Sequence, residues 1–112
     1  MPYLSTHVLD TTSGKPAAGM RVALRHADAP AVLKDATTDA DGRVSLLDGA
    51  ALKPGIYEIA FDVGDYFRAQ GAALADPAFL EVVPVRFAVA EGRDYHVPLL
   101  VSPYGYSTYR GS

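Results

Sequence analysis

The chain of 112 residues contains no cysteine. Disulfide bonds and thiolate metal sites are therefore excluded. No apolar run approaches the roughly 20 residues that span a bilayer, so we expect no membrane partner. Lysine and arginine number 10 against 13 aspartate and glutamate residues, which gives a formal net charge of −3. This balance argues against nucleic acid and anionic membrane surfaces as partners, because both bind basic patches.

Several motifs of common catalytic and metal sites are also missing. The sequence has no Gly-x-Ser-x-Gly element of a serine hydrolase and no glycine-rich loop that would hold a phosphate. Its three histidines lack the spacings of metal ligands. The run Asp39-x-Asp41-Gly42 lacks the later oxygen ligands of a calcium loop and is interpreted as a turn. We therefore expect neither a metal nor another cofactor.

Short alternating segments indicate the fold class. Residues 20–25, 43–47 and 56–63 place apolar side chains at every second position, as half-buried strands do. The Asp-Gly pair at 41–42 predicts a hairpin-type turn, and Pro84 within residues 80–90 predicts an edge strand or a bulge. Residues 65–74 form the one predicted helix. Seven or eight short strands with one helix predict an all-β Greek-key β-sandwich, a single domain over residues 1–112.

The two ends of the chain carry further signals. The first seven residues show no charged segment followed by an apolar one, so the sequence predicts a cytoplasmic protein. Residues 95–112 have the pattern of strand, turn and strand, with Pro103-Tyr104-Gly105 at the corner. The run from Tyr109 to Ser112 then lies at the tip of the second strand. Because termini are usually poorly held, a terminus built into a sheet suggests a function.

Three outward-facing side chains are the candidates for chemistry. His7 lies on the face of the first strand opposite Thr6 and Val8, and His96 lies on the face opposite its apolar neighbours. His26 continues a line of inward-facing side chains, which favours a structural role. Arg43 stands on an outward strand face, where composition alone favours a solvated charge. Taken singly, each histidine is more often a surface or core-edge residue than a catalyst.

Two longer runs, however, resemble a known family when they are taken together. The runs are HVLDTTSGKPAAGM at residues 7–20 and HVPLLVSPYGYSTYRGS at residues 96–112. Both closely resemble signatures of the transthyretin-like family, and DADGR at 39–43 and PGIY at 54–57 fall where that family has its middle motifs. Within the family, the closing Tyr-Arg-Gly-Ser separates 5-hydroxyisourate hydrolases from hormone-carrying transthyretins.

The resemblance implies a fold, an assembly and an activity. The expected fold is a transthyretin-like (prealbumin-like) sandwich of two four-stranded sheets and one short helix. The expected assembly is a homotetramer, a dimer of dimers, with active sites between the dimers. The expected reaction converts 5-hydroxyisourate, without a cofactor, to 2-oxo-4-hydroxy-4-carboxy-5-ureidoimidazoline, in urate catabolism toward allantoin. The implied catalytic residues are His7, Arg43, His96 and Ser112, and the implied substrate-binding residues are His7, Arg43, Tyr109, Arg110, Gly111 and Ser112.

The residues themselves are compatible with this function. A small domain that cannot enclose a deep pocket is able to build one against an identical copy. Histidine, with an ordinary pKa of about 6.5, suits a base near neutral pH, and arginine offers a permanent charge to a developing oxyanion. One alternative is a non-catalytic carrier of a small aromatic ligand, which would need neither the paired histidines nor the terminal tetrapeptide. Another is a structural interaction domain, which predicts a monomer.

Overall fold

A computed structural model of the protein describes residues 3–48, 52–90 and 93–111. Over these ranges the chain forms nine strands and one helix. In chain order they are β1 (Tyr3–Asp10), β2 (Lys15–Pro16), β3 (Arg21–His26), β4 (Val32–Thr37), β5 (Arg43–Asp48), β6 (Gly55–Phe61), α1 (Val63–Ala69), β7 (Val83–Val89), β8 (Tyr95–Ser102) and β9 (Gly105–Thr108).

The strands form two sheets. The first has the order β2-β1-β8-β9, and β5 also pairs with β1. Because β2 pairs only with the end of β1 at Leu9 and Asp10, β5 is free to pair with Tyr3 to His7 of the same strand. The second sheet has the order β4-β3-β6-β7. The predicted all-β sandwich is therefore confirmed, with the two-residue β2 as a fifth member of the first sheet.

Alternation along the strands builds the core. Strand β1 buries every second side chain from Leu4 to Asp10, while Ser5 and His7 on its other face stay half-exposed. On β6, Tyr57, Ile59 and Phe61 are fully buried. The apolar faces thus line the space between the sheets, and polar side chains such as Ser5 and His7 are left on the outer face of the first sheet. No helix within the described ranges is long and apolar enough to cross a membrane.

The predicted helix boundaries are wrong at both ends. Instead of residues 65–74, α1 spans Val63–Ala69. It stops early because Gly71 takes a positive φ of 84° and donates its N–H to the Arg68 carbonyl. A glycine in this conformation closes helices readily, since it has no side chain to strain. Ala72 and Leu74, beyond the helix end, still pack against the core.

Two further expectations concern turns and edges. Residues 39–42 do form a turn, but it crosses from β4 in the second sheet to β5 in the first, so the predicted hairpin-type turn is wrong. Gly42 there has a φ of 74°, and its carbonyl accepts the Val8 N–H at 2.8 Å. This bond pins the start of β5 against β1. Strand β7 is shorter than the predicted 80–90, yet the edge position expected from Pro84 is confirmed.

Candidate active site

Two of the predicted site residues face each other across neighbouring strands. His7 of β1 is the direct antiparallel partner of Arg43, the first residue of β5. The carboxylate of Asp39 accepts the backbone N–H groups of Asp41 and Arg43, at 2.8 and 3.0 Å, and so fixes the turn before β5. The turn therefore determines where Arg43 enters the sheet.

The third residue comes from the opposite neighbour of β1. Strand β8 runs parallel to β1, with His96 opposite Ser5 and Pro98 opposite His7. The imidazole rings of His7 and His96 are 6.4 Å apart between centroids. The hydroxyl of Ser5 lies 2.8 Å from Nδ1 of His96. Three strands that are distant in sequence thus place His7, Arg43 and His96 together on the outer face of the first sheet.

The carboxy-terminal segment returns to the same place. Strand β9 pairs with β8, and the Thr108 hydroxyl donates to the Pro98 carbonyl at 2.6 Å. The Gly111 N–H then donates to the His96 carbonyl at 2.8 Å. A Cβ on Gly111 would stand 2.8 Å from Cδ2 of His96, so only glycine fits this close to the ring without displacement.

The other tail residues are placed differently. Tyr109 and Arg110 line a separate crevice of about 170 Å³ beside β7 rather than the cleft that contains His96. Arg110, together with Gly111 and Arg93, also borders a surface depression next to the tail. Ser112, one of the expected catalytic residues, lies outside the described residues.

An open polar cleft of about 440 Å³ lies over Arg43 and His96. Its lining comes from β1, the 39–42 turn, β5, β8 and the tail. His7 lies beside this cleft on the same sheet face without lining it. The residues around the cleft are Tyr3, Ser5, Thr6, Asp39, Arg43, Val44, Ser45, Asp94, Tyr95, His96 and Gly111.

The surroundings of His96 favour its neutral form. Partial burial lowers the pKa of His96 below its ordinary value, and the nearby charges of His7 and Arg43 lower it further. Among the described residues, no carboxylate forms an ion pair with the Arg43 guanidinium. The neutral imidazole is suited to accepting a proton, and the unneutralised guanidinium beside it is suited to stabilising a developing anion.

Among residues 3–48, 52–90 and 93–111, no group of three or more histidine, cysteine, aspartate or glutamate side chains lies close enough together to hold an ion. His26, the remaining histidine, belongs to the second sheet and lies against Tyr57 with 4.9 Å between ring centroids. This placement agrees with the structural role that its sequence position favoured.

Sequence reasoning missed one side chain that contacts the cluster directly. Ser5 shares the outward face of β1 with His7, a signal that the alternation of β1 already contains. Its partnership with His96 depends on the parallel register of β1 and β8, which joins residues 91 positions apart. Such a non-local pairing leaves no local pattern in the sequence.

The fold and this site define a class of protein: a transthyretin-type sandwich with a histidine–arginine–histidine cluster on the outer face of one sheet. The chain belongs to the HIUase/Transthyretin family, whose model matches residues 4–111. It is 58% identical over 113 residues to a 5-hydroxyisourate hydrolase of Mesorhizobium japonicum, with 97% of this chain and 91% of the relative covered.

Two solved structures are also similar. The 5-hydroxyisourate hydrolase of Klebsiella pneumoniae superimposes with a TM-score of 0.86 at 34% identity, covering 100% of both chains. Sea bream transthyretin in complex with thyroxine superimposes with a TM-score of 0.85 at 30% identity, covering 96% of this chain and 93% of the other. The same backbone architecture therefore occurs in a hydrolase and in a thyroxine-binding protein, so the difference in function must come from the side chains.

Proposed function

We propose that the chain hydrolyses 5-hydroxyisourate to 2-oxo-4-hydroxy-4-carboxy-5-ureidoimidazoline, a step of urate breakdown toward allantoin. The observation that carries the proposal is the placement of His7, Arg43 and His96 on one sheet face, with the tail bonded to His96. A relative with 58% identity bears the name of this activity. A passive binding channel would need neither the paired imidazoles nor the unneutralised guanidinium.

The reaction needs only water and a proton carrier. A histidine takes a proton from water while the water oxygen bonds to a carbonyl carbon of the six-membered ring. The ring C–N bond then breaks, the nitrogen receives that proton, and the carbonyl carbon becomes a carboxyl group, which releases its own proton to solvent as the carboxylate of the product. His7 and His96 serve as base and proton relay. A well-placed base of this kind typically contributes on the order of 10²- to 10⁴-fold in rate.

Arg43 supplies the complementary charge. As water attacks, negative charge develops on the carbonyl oxygen, and the Arg43 cation at the cleft stabilises that charge. The planar guanidinium is also suited to binding two neighbouring acceptor oxygens of the substrate. In this proposal Ser112 adds a donor, the Gly111 backbone borders the cleft, and Tyr109 and Arg110 anchor the tail that carries them.

We also propose that the working form is a homotetramer, a dimer of dimers. The cleft lies open on the face of the first sheet, and a small domain of this kind is completed most simply by an identical copy. Strand β9 ends the first sheet with four exposed residues, which leaves an edge for further strand pairing. Light scattering of the purified protein is expected to give about four chain masses, and a stable monomer would contradict this assembly. A cytoplasmic location stays a prediction.

The direct test follows freshly prepared 5-hydroxyisourate in the ultraviolet. The protein is expected to accelerate its decay well above the buffer blank, and deletion of residues 109–112 is expected to abolish most of the acceleration. A carrier would instead bind an aromatic ligand without turnover. Decay no faster than the blank, from a folded protein, would overturn the proposed function.

A further inference from the structure

The contact between Ser5 and His96 indicates a role for Ser5 at the proposed site. We infer that Ser5 is a positioning residue: its hydroxyl accepts the Nδ1–H of His96, which leaves Nε2 as the unprotonated nitrogen that takes the proton from water. The inference rests on the proposed function, since it assigns the proton-accepting atom of the same site. It is carried by the 2.8 Å separation between Ser5 Oγ and His96 Nδ1.

The backbone holds the two side chains in this arrangement. Ser5 and His96 are direct partners in the parallel β1–β8 ladder, and each stands on the outer face of the sheet. On another side of the ring, Gly111 packs so closely that a Cβ there would stand 3.3 Å from Cγ and 2.8 Å from Cδ2. A flip of the ring would break the Ser5 hydrogen bond and bring Nδ1 toward the tail. The orientation of the imidazole is therefore fixed from two sides.

The direction of the hydrogen bond follows from the chemistry. A serine hydroxyl both donates and accepts, so the neutral imidazole has two possible tautomers. If Ser5 donates to Nδ1, Nε2 carries the hydrogen and has no lone pair for water. If Ser5 accepts from Nδ1–H, the same bond persists when Nε2 takes a proton, and the hydroxyl stabilises the imidazolium that forms. Only the second arrangement makes His96 a base without rotating a hydroxyl during the reaction.

Among the described residues, no group forms a hydrogen bond with Nε2, the second nitrogen of the His96 ring. Within residues 3–48, 52–90 and 93–111, the Ser5 hydroxyl is the one hydrogen-bond partner recorded for the His96 ring. His96 and Ser5 both line the open cleft, so a water molecule has access to this position. His7 and Arg43 are the charged or titratable groups that act on the His96 ring. Tyr3, Asp39, Asp94 and Tyr95 line the same cleft.

The first test reads the tautomer directly and needs no substrate. Nitrogen-15 NMR of ¹⁵N-histidine-labelled protein, at a pH where His96 is neutral, is expected to show protonated Nδ1 and unprotonated Nε2. Ser5→Ala is expected to shift the population toward the Nε2–H form, and Ser5→Thr, which keeps a hydroxyl, to restore the Nδ1–H form. Ser13→Ala is the control, because Ser13 is an exposed serine in the turn between β1 and β2 and does not line the cleft.

The second test is kinetic. Loss of one hydrogen bond to the developing imidazolium predicts a fall of about tenfold in kcat for Ser5→Ala, with KM little changed. The acid limb of the pH profile is expected to move to lower pH, because the imidazolium has lost an acceptor. Ser13→Ala is expected to keep both the rate and the profile. A purely structural role for Ser5 would change the rate without moving the profile.

Two results would overturn the inference: a wild-type His96 protonated at Nε2, or a Ser5→Ala protein with unchanged tautomer and pH profile. The proposed function fails separately. Wild-type protein that holds the Nδ1–H tautomer yet leaves 5-hydroxyisourate intact would overturn the activity, and the NMR assignment would stand.

Discussion

Substitution of Gly111 by alanine tests the coupling between the tail and His96. Gly111 has no positive φ, so an alanine there meets a steric problem rather than a backbone one. Its Cβ would lie 2.8 Å from Cδ2 of His96, whereas ordinary van der Waals contact begins at 3.4 Å. Either the ring or the tail must therefore move by about 0.6 Å, the difference between these two distances. Either movement disturbs the contact between the tail and the imidazole, whereas the apolar core is left as it is.

The expected cost is in rate rather than in stability. Because misplacement of a reacting group by 1 Å costs on the order of 10²-fold, we expect Gly111→Ala to lower kcat/KM by about 10- to 100-fold. The free energy of unfolding is expected to change by less than about 1 kcal/mol, since the residue lies at the chain end outside the core. Ultraviolet decay of 5-hydroxyisourate gives the first quantity, and denaturant unfolding gives the second.

Gly105→Ala is the matched control for this prediction. Gly105 begins β9, and a Cβ there would find only Ser102 Oγ, at 3.9 Å. That substitution is expected to leave kcat/KM within about twofold of the wild type. Wild-type kinetics for Gly111→Ala, with an unshifted His96 NMR signal, would refute the claim that the tail positions the ring.

Two further predictions follow from the charge and the backbone around the site. Arg43→Gln removes a positive charge that disfavours the imidazolium, so NMR titration is expected to show a higher pKa for His96, while Arg43→Lys keeps the pKa near the wild-type value. Because the pKa of His96 is lower in the folded protein than in the unfolded chain, the protein is expected to lose stability as pH falls below about 6.5. The Arg43→Gln protein is expected to lose less stability over the same range. An unchanged His96 pKa in Arg43→Gln would contradict both expectations. Gly42→Ala places a Cβ 2.5 Å from the Val8 carbonyl oxygen at a φ of 74°. Gly19 has a similar φ of 79° but open space around it. Denaturant unfolding is therefore expected to show a free energy of unfolding about 1–3 kcal/mol lower for Gly42→Ala than for Gly19→Ala. Equal values would contradict the close approach of Gly42 to the Val8 carbonyl.

Much of the fold could be predicted because strands such as β1, β3 and β7 alternate between buried and more exposed side chains. On β6, the alternation of Tyr57, Ile59 and Phe61 records directly which side chains face the core. Pro84 indicated an edge strand because it lacks the N–H that a central strand needs. The helix end was missed because Ala72 and Leu74 are apolar for a different reason, their packing against the core beyond α1.

The site was predictable only in part. The outward direction of His7 and His96 follows from the period of two along their strands. Their proximity depends on the parallel β1–β8 pairing and on the crossing of the 39–42 turn between sheets, neither of which has a local signal. The residue set came instead from the family resemblance. Ser5 was not predicted for the same reason, since its contact with His96 depends on the strand register of the folded protein.

The central claim is that His96, held in this cluster, is needed for chemistry and not for folding. The most direct measurement compares kcat/KM for 5-hydroxyisourate in His96→Asn with that in His26→Asn, where His26 is a half-buried histidine of the other sheet. We expect His96→Asn to lose on the order of 10²- to 10⁴-fold and His26→Asn to stay close to the wild type. A His96→Asn protein that hydrolyses the substrate at the wild-type rate would contradict the account.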